Sequence, residues 1–142
     1  MSQEEIRSVL ERYRTVAVIG LSRDPAKASY QVAKYLKFVS YRIIPVNPFA
    51  DEILGETSYK SLLDVPETID IIDIFRPSGD VPAIVEEAIT LKNRVGSPKV
   101  IWMQLGIVNE EAARRSKEAG FTVVMDKCMM VEHRRFSMNG VP

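Results

Sequence analysis

The chain has a single cysteine, Cys128, a single histidine, His133, and a single tryptophan, Trp102, among its 142 residues. One cysteine excludes an intrachain disulfide and fits a reducing compartment. One cysteine and one histidine cannot assemble a Cys/His zinc cluster. No excess charge of either sign is present: Lys plus Arg and Asp plus Glu each number 19. A nucleic-acid binder normally shows a basic balance, so none is expected as a partner. Long apolar runs are missing too. The longest, such as 16–21, fall far short of the ~20 residues of a membrane helix. The N-terminal stretch MSQEEIRSVLERYR mixes both signs of charge and lacks a signal-peptide core. A cytoplasmic protein without a membrane partner is the expectation.

Forty-six per cent of the residues are hydrophobic and 27% charged, which suits one folded domain of ordinary core size spanning 1–142. Ser2 and Glu5 have capping-box spacing before Ile6, Val9 and Leu10 at helical intervals. TVAVIG at 15–20 is a continuously apolar strand of the kind buried on both faces of a parallel sheet. Further strands are expected at 42–46, 69–75, 100–105 and 122–125. Helices are expected from Ser29 to about Phe38, from Asp80 as cap to about Asn93, and from Asn109 as cap to Gly120. The stretch 49–65 reads as irregular with a short helix near Leu62, and everything after Cys128 as a polar tail. Alternating strands and helices imply an α/β, Rossmann-like, doubly wound parallel sheet of five strands with helices on both faces. The expected strand order is 3-2-1-4-5.

In such a sheet the ligand lies outside the carboxyl ends of the strands, where the order reverses. With order 3-2-1-4-5 the crevice would open between strands one and four, bringing the loop after Gly20 opposite Gln104-Leu105-Gly106. The first loop, GLSRDPAKAS, has one glycine where a nicotinamide site wants G-x-G-x-x-G. Strand two ends in Asn47-Pro48 rather than in an acid for the ribose. Both features count against NAD. Arg23, Lys27 and Ser29 instead precede a helix N-terminus, a natural anion site; the alternative is a solvated loop with two ordinary surface cations.

Several motifs in fixed order resemble one family. They are VAVIGLS at 16–22, IPVNP at 44–48, ILG at 53–55, DIFR at 73–76, WMQLG at 102–106 and VMDKCM at 124–129, followed by Glu132-His133. Together, over about 15–135, they resemble the small single-domain CoA-binding proteins, which are similar to the N-terminal CoA-binding domain of the succinyl-CoA synthetase α subunit. The resemblance implies a site for coenzyme A or an acyl-CoA, with Gly20, Leu21 and Ser22 against the nucleotide and Arg23, Lys27 and Ser29 near the phosphates. Asn47 and Pro48 would border the adenosine, Phe75, Arg76 and Pro77 the crevice, and Gln104 and Gly106 the pantetheine path. Independently of the resemblance, Cys128 follows strand five at the ligand-bearing edge beside Lys127, which would favour thiolate, so it is a candidate thiol partner for CoA, with a small buried hydrophobe as the alternative. The chain ends before any ligase domain, so His133 does not inherit the synthetase phosphohistidine role and is expected at the surface. No catalytic residue is assigned. The rival readings are an enzyme acting on a CoA thioester with Cys128 as nucleophile, a NAD or nucleotide-binding domain, and a regulatory subunit. A protein partner or homo-oligomer stays open.

Overall fold

A computed structural model describes residues 1–138. The elements run α1 (Gln3–Arg12), β1 (Thr15–Ile19), α2 (Ala28–Phe38), β2 (Arg42–Val46), β3 (Glu52–Ile53), β4 (Glu56–Thr57), β5 (Ile71–Ile74), α3 (Val81–Val95), β6 (Val100–Met103), α4 (Glu110–Glu118), β7 (Thr122–Val124) and α5 (Met129–Met138). β3 and β4 form a small antiparallel hairpin; the other strands make one parallel sheet.

Side chains alternate across this sheet, as strand geometry requires. Ala17, Ile19, Ile44, Ile72, Ile101 and Val123 pack with α3 and α4, through Ile84, Val85, Ala88, Ala112 and Ala113. Val16, Val18, Ile43, Ile71, Val100 and Trp102 pack with α1, α2 and α5, through Ile6, Leu10, Val32, Leu36 and Met129. Trp102 is fully buried and its Nε1 donates to the Lys127 carbonyl at 2.7 Å. The Rossmann-like α/β architecture with helices on both faces is therefore present.

The strand order is corrected. The sheet runs β2-β1-β5-β6-β7, which is 2-1-3-4-5 counting the five parallel strands, not 3-2-1-4-5. The reason lies in β2. The Pro45 carbonyl points outward and accepts from Tyr59 N at 3.0 Å, while Asn47 N donates to Tyr59 O at 2.9 Å. The Pro45 nitrogen, on the same side as its carbonyl, has no hydrogen for a further strand. β2 is thus an edge, and the chain crosses back to place β5 on the far side of β1.

Two segments add elements beyond those expected, although the short helix expected near Leu62 is present. The 49–65 stretch holds the β3–β4 hairpin and a 3₁₀ turn, Leu62–Asp64, capped by Ser61 Oγ. The residues after Cys128 form α5 rather than a polar tail. The expected caps are present at Ser2, where both bonds of the capping box form, and at Asn109, which accepts from Ala112 N at 2.9 Å. Asp80 stands at the N-cap of α3 but gives no side-chain cap bond.

Candidate functional site

Because the strand order reverses at β1, the crevice opens between the carboxyl ends of β1 and β5, not between strands one and four. Gly20 closes it. Its φ is +85°, and a Cβ there would lie 2.6 Å from the Phe75 carbonyl oxygen and 2.9 Å from Arg76 Cδ. Only glycine combines that left-handed backbone with so close a passage.

Beyond Gly20 the loop is built from its own side chains. Leu21 is fully buried and anchors the turn. Its carbonyl accepts from Asn47 Nδ2 at 2.9 Å, while Asn47 Oδ1 accepts from Phe49 N at 2.8 Å, so Asn47 clasps the loops after β1 and β2 together. Ser29, buried, accepts from Ser22 N at 2.9 Å, and Ser22 Oγ accepts from Asp24 N at 3.0 Å. Lys27 is the N-cap of α2 and supplies no side-chain bond. The first-turn amides of α2 are therefore left for another acceptor, at the positive end of the helix dipole. Arg23, exposed, donates to the Phe49 carbonyl at 3.4 Å.

A cavity of about 660 Å³ adjoins this loop, within the range of small-molecule and cofactor pockets. Its apolar floor is Ile19, Val46, Leu62 and Ile84; Gly20, Ser22, Asn47, Pro48, Phe49 and Arg76 form the mouth. The Arg76 guanidinium is held at 2.8 Å by Asp80, on a half-exposed surface where such a pair is readily exchanged for another anion. One face of α3 forms a wall through Asp80, Ala83, Ile84 and Glu87, and Lys60 and Ser61 stand at the same end as Glu87. Ser61 Oγ donates to Glu87 Oε1 at 3.0 Å.

Five residues singled out from sequence line the cavity together: Gly20, Ser22, Asn47, Pro48 and Arg76. Leu21 and Ser29 shape the loop from behind. Arg23, Lys27, Phe75 and Pro77 flank the crevice without lining the cavity. Gln104, Gly106 and Cys128 lie elsewhere. Gln104 is buried; its Oε1 accepts from Met129 N at 3.3 Å and its Nε2 donates to Asp73 Oδ2 at 3.5 Å. Gly106 N donates to Asp126 Oδ1 at 2.7 Å. Cys128 is half-buried against the α1/α2/α5 side of the core. Lys60, Ser61 and Glu87 were missed because only the tertiary fold brings the 59–62 turn onto α3, and Phe49 was missed although it directly follows Pro48.

Two titratable groups with shifted pKa values, one buried and one half-buried, lie outside the cavity. Asp73, in the middle of β5, is fully buried with Oδ1 unpartnered, and burial pushes its carboxyl well above the usual range. His133 is half-buried rather than at the surface. Its Nδ1 is 2.6 Å from Tyr35 Oη, its ring stands edge-on to Tyr35 and Tyr41, and burial together with Arg14 lowers its pKa. No group of three or more potential metal ligands exists among the described residues, and no described helix is long and apolar enough to cross a membrane.

Comparison with known proteins places this geometry in a family. The CoA binding domain family matches residues 14–134. A Bacillus subtilis relative, uncharacterized protein YneT, is 42% identical over 93% of this chain and 94% of its own. A structure from Thermus thermophilus, 40% identical, superposes with a TM-score of 0.87 over 95% of this chain and 98% of that one. The α subunit of an ADP-forming acetate–CoA ligase II of Pyrococcus furiosus is 29% identical over 89% of this chain, which spans only 29% of that subunit.

Proposed function

The chain belongs to the CoA binding domain family, and from that premise we propose that it holds coenzyme A or an acyl-CoA at the carboxyl ends of β1, β2 and β5, as a binding or regulatory module. The observation that carries this reading is the pinch at Gly20. It sets the uncapped first turn of α2 beside a cavity of nucleoside dimensions.

The donor set suits the ligand. The phosphates meet the α2 amides, with Arg23, Lys27 and Arg76 adding charge-assisted hydrogen bonds. Asn47, occupied as a loop clasp at the end of β2, leaves no acid there for an NAD ribose, which favours CoA over a dinucleotide. The adenosine lies over Ile19, Val46 and Ile84. The pantetheine arm leaves by the mouth, along the sheet edge past Gly106 toward Cys128. Gln104 supports that edge from beneath by fixing the start of α5.

Thermal shift tests the reading. Ligand at a hundred times Kd stabilises a protein by ~2.7 kcal/mol, and each kcal/mol moves the midpoint by roughly 2–4 °C for a domain near this size. CoA should raise the midpoint by several degrees, while NAD and ATP move it little; equal shifts with NAD would defeat the proposal. Lys27→Ala should weaken CoA binding and flatten its salt dependence. Steady thiol release from an acyl-CoA, abolished by Cys128→Ala, would make the chain an enzyme instead.

A further inference from the structure

Each end of the cavity carries a cation and a carboxylate, Arg76 with Asp80 at the mouth and Lys60 with Glu87 at the far end, but only the first two are ion-paired among the described residues. At its mouth are Gly20, Ser22 and the Arg76 guanidinium. From there it follows one face of α3 through Asp80, Ala83, Ile84 and Glu87, positions three or four apart and so stacked on one side of the helix. Seven residues from Asp80 to Glu87 span about 10 Å at 1.5 Å per residue, roughly the length of a nucleoside. The end of that path is a carboxylate. Ser61 orients it: the hydroxyl accepts from Leu63 N at 3.2 Å, which leaves its proton for Glu87 Oε1 at 3.0 Å. The second carboxylate oxygen, Oε2, makes no hydrogen bond to any described residue.

A carboxylate repels phosphate and accepts N–H donors. Phosphates belong at the mouth, where the uncapped first turn of α2 and the exchangeable Arg76 guanidinium lie, and the Ser61-oriented carboxylate of Glu87 suits the far end to a donor-bearing base. Between the two ends the walls are aliphatic, as a flat base requires, with Phe49, 82% exposed, standing at the rim.

We propose that Glu87, oriented by Ser61, selects the nucleobase of the bound ligand by accepting a hydrogen bond from the exocyclic amine of its purine. The proposal rests on the reading of the cavity as the nucleoside half of a CoA site and adds to it the group that chooses the base. Sequence reasoning offered no sign of this residue, since a glutamate on a helix otherwise reads as solvated surface.

Calorimetry separates the two layers. The probes are CoA, adenosine 3′,5′-bisphosphate, and the same bisphosphate with unsubstituted purine in place of adenine. They are titrated into the unaltered protein, Glu87→Gln and Glu87→Ala, each first shown by its melting transition to be folded. Losing a hydrogen bond to a charged group costs roughly ten-fold or more in affinity. The unaltered protein should bind the adenosine bisphosphate about ten-fold tighter than its deamino counterpart. Glu87→Ala should erase that preference and weaken CoA by a similar factor, while Glu87→Gln, which keeps an acceptor oxygen, retains part of it. CoA binding with no discrimination between the two bisphosphates overturns the role of Glu87 and leaves the CoA reading standing. Binding of CoA with neither bisphosphate binding also overturns it. Failure of CoA itself to bind removes the underlying reading.

Discussion

A methyl group at position 20 would have to occupy space already taken by the Phe75 carbonyl and the Arg76 side chain, on a backbone turned left-handed. Gly20→Ala should therefore cost about 2 kcal/mol or more, since the left-handed conformation alone costs roughly 1–2 kcal/mol for a residue with a Cβ, and it should abolish CoA binding; a denaturant melt and a titration check the two effects. Asp73 gives the opposite kind of prediction. Its carboxyl is buried and its pKa raised, so the folded state holds the proton more tightly than the unfolded chain. Its stabilising effect is complete below the unfolded value near 4 and is lost as pH rises toward the folded one. Asp73→Asn should thus melt higher than the unaltered protein at neutral pH, with the gap shrinking as pH falls toward about 4 and closed below it. Gly20 was legible in the sequence because an apolar strand ending in glycine marks the first ligand loop. Gln104 was legible only as a polar residue where core was expected. Its partners, Asp73 and Met129, lie 31 and 25 residues away, and no local pattern encodes pairings at that distance.

Among the elements, those with a strong period or a cap could be read from sequence, and the last helix could not. α4 announces itself by Asn109, which both accepts from Ala112 N and donates through Nδ2 to the Ser78 carbonyl at 3.0 Å. Asn109→Ala should cost about 1 kcal/mol for the cap, seen as a lower melting midpoint. α5 offers no such signature: Met129 packs inward, and the rest of EHRRF alternates between charge and ring without a clean apolar stripe. What holds it is tertiary. His133 docks between Tyr35 and Tyr41, with Arg14 and Glu11 lining the same small cavity. Its pKa is lowered, so the contribution of neutral His133 is present above the unfolded value near 6.5 and is lost as pH falls through the lower folded one. Hydrogen exchange in α5 should therefore quicken relative to the sheet below about pH 6, and His133→Gln should remove that pH dependence.

For the molecule as a whole, the parallel sheet and its two helical layers followed from the alternation of strands and helices. The order of strands did not, because periodicity says which face a strand shows and not which neighbour it takes. The one available signal was Pro45, a residue confined to sheet edges. The consequence for function is large. Moving β5 beside β1 shifts the crevice from the Gln104 loop to the Phe75–Arg76 turn, and with it the expected footprint. Exchange protection by adenosine 3′,5′-bisphosphate should fall on 20–29, 46–50, 60–62 and 76–80, and the complete coenzyme should add 105–107. Protection centred on 104–106 with either ligand would contradict the cavity assignment.

The outer margin of β2 has a meaning for how copies of this chain can meet. With Tyr59 already seated against Pro45 and Asn47, that border is closed by the molecule's own loop, and a stray extended segment finds no ladder to join there. Continuation of the sheet is thereby opposed at the Pro45–Asn47 end of that flank, which leaves the three-residue β7 as the opposite edge of the parallel sheet.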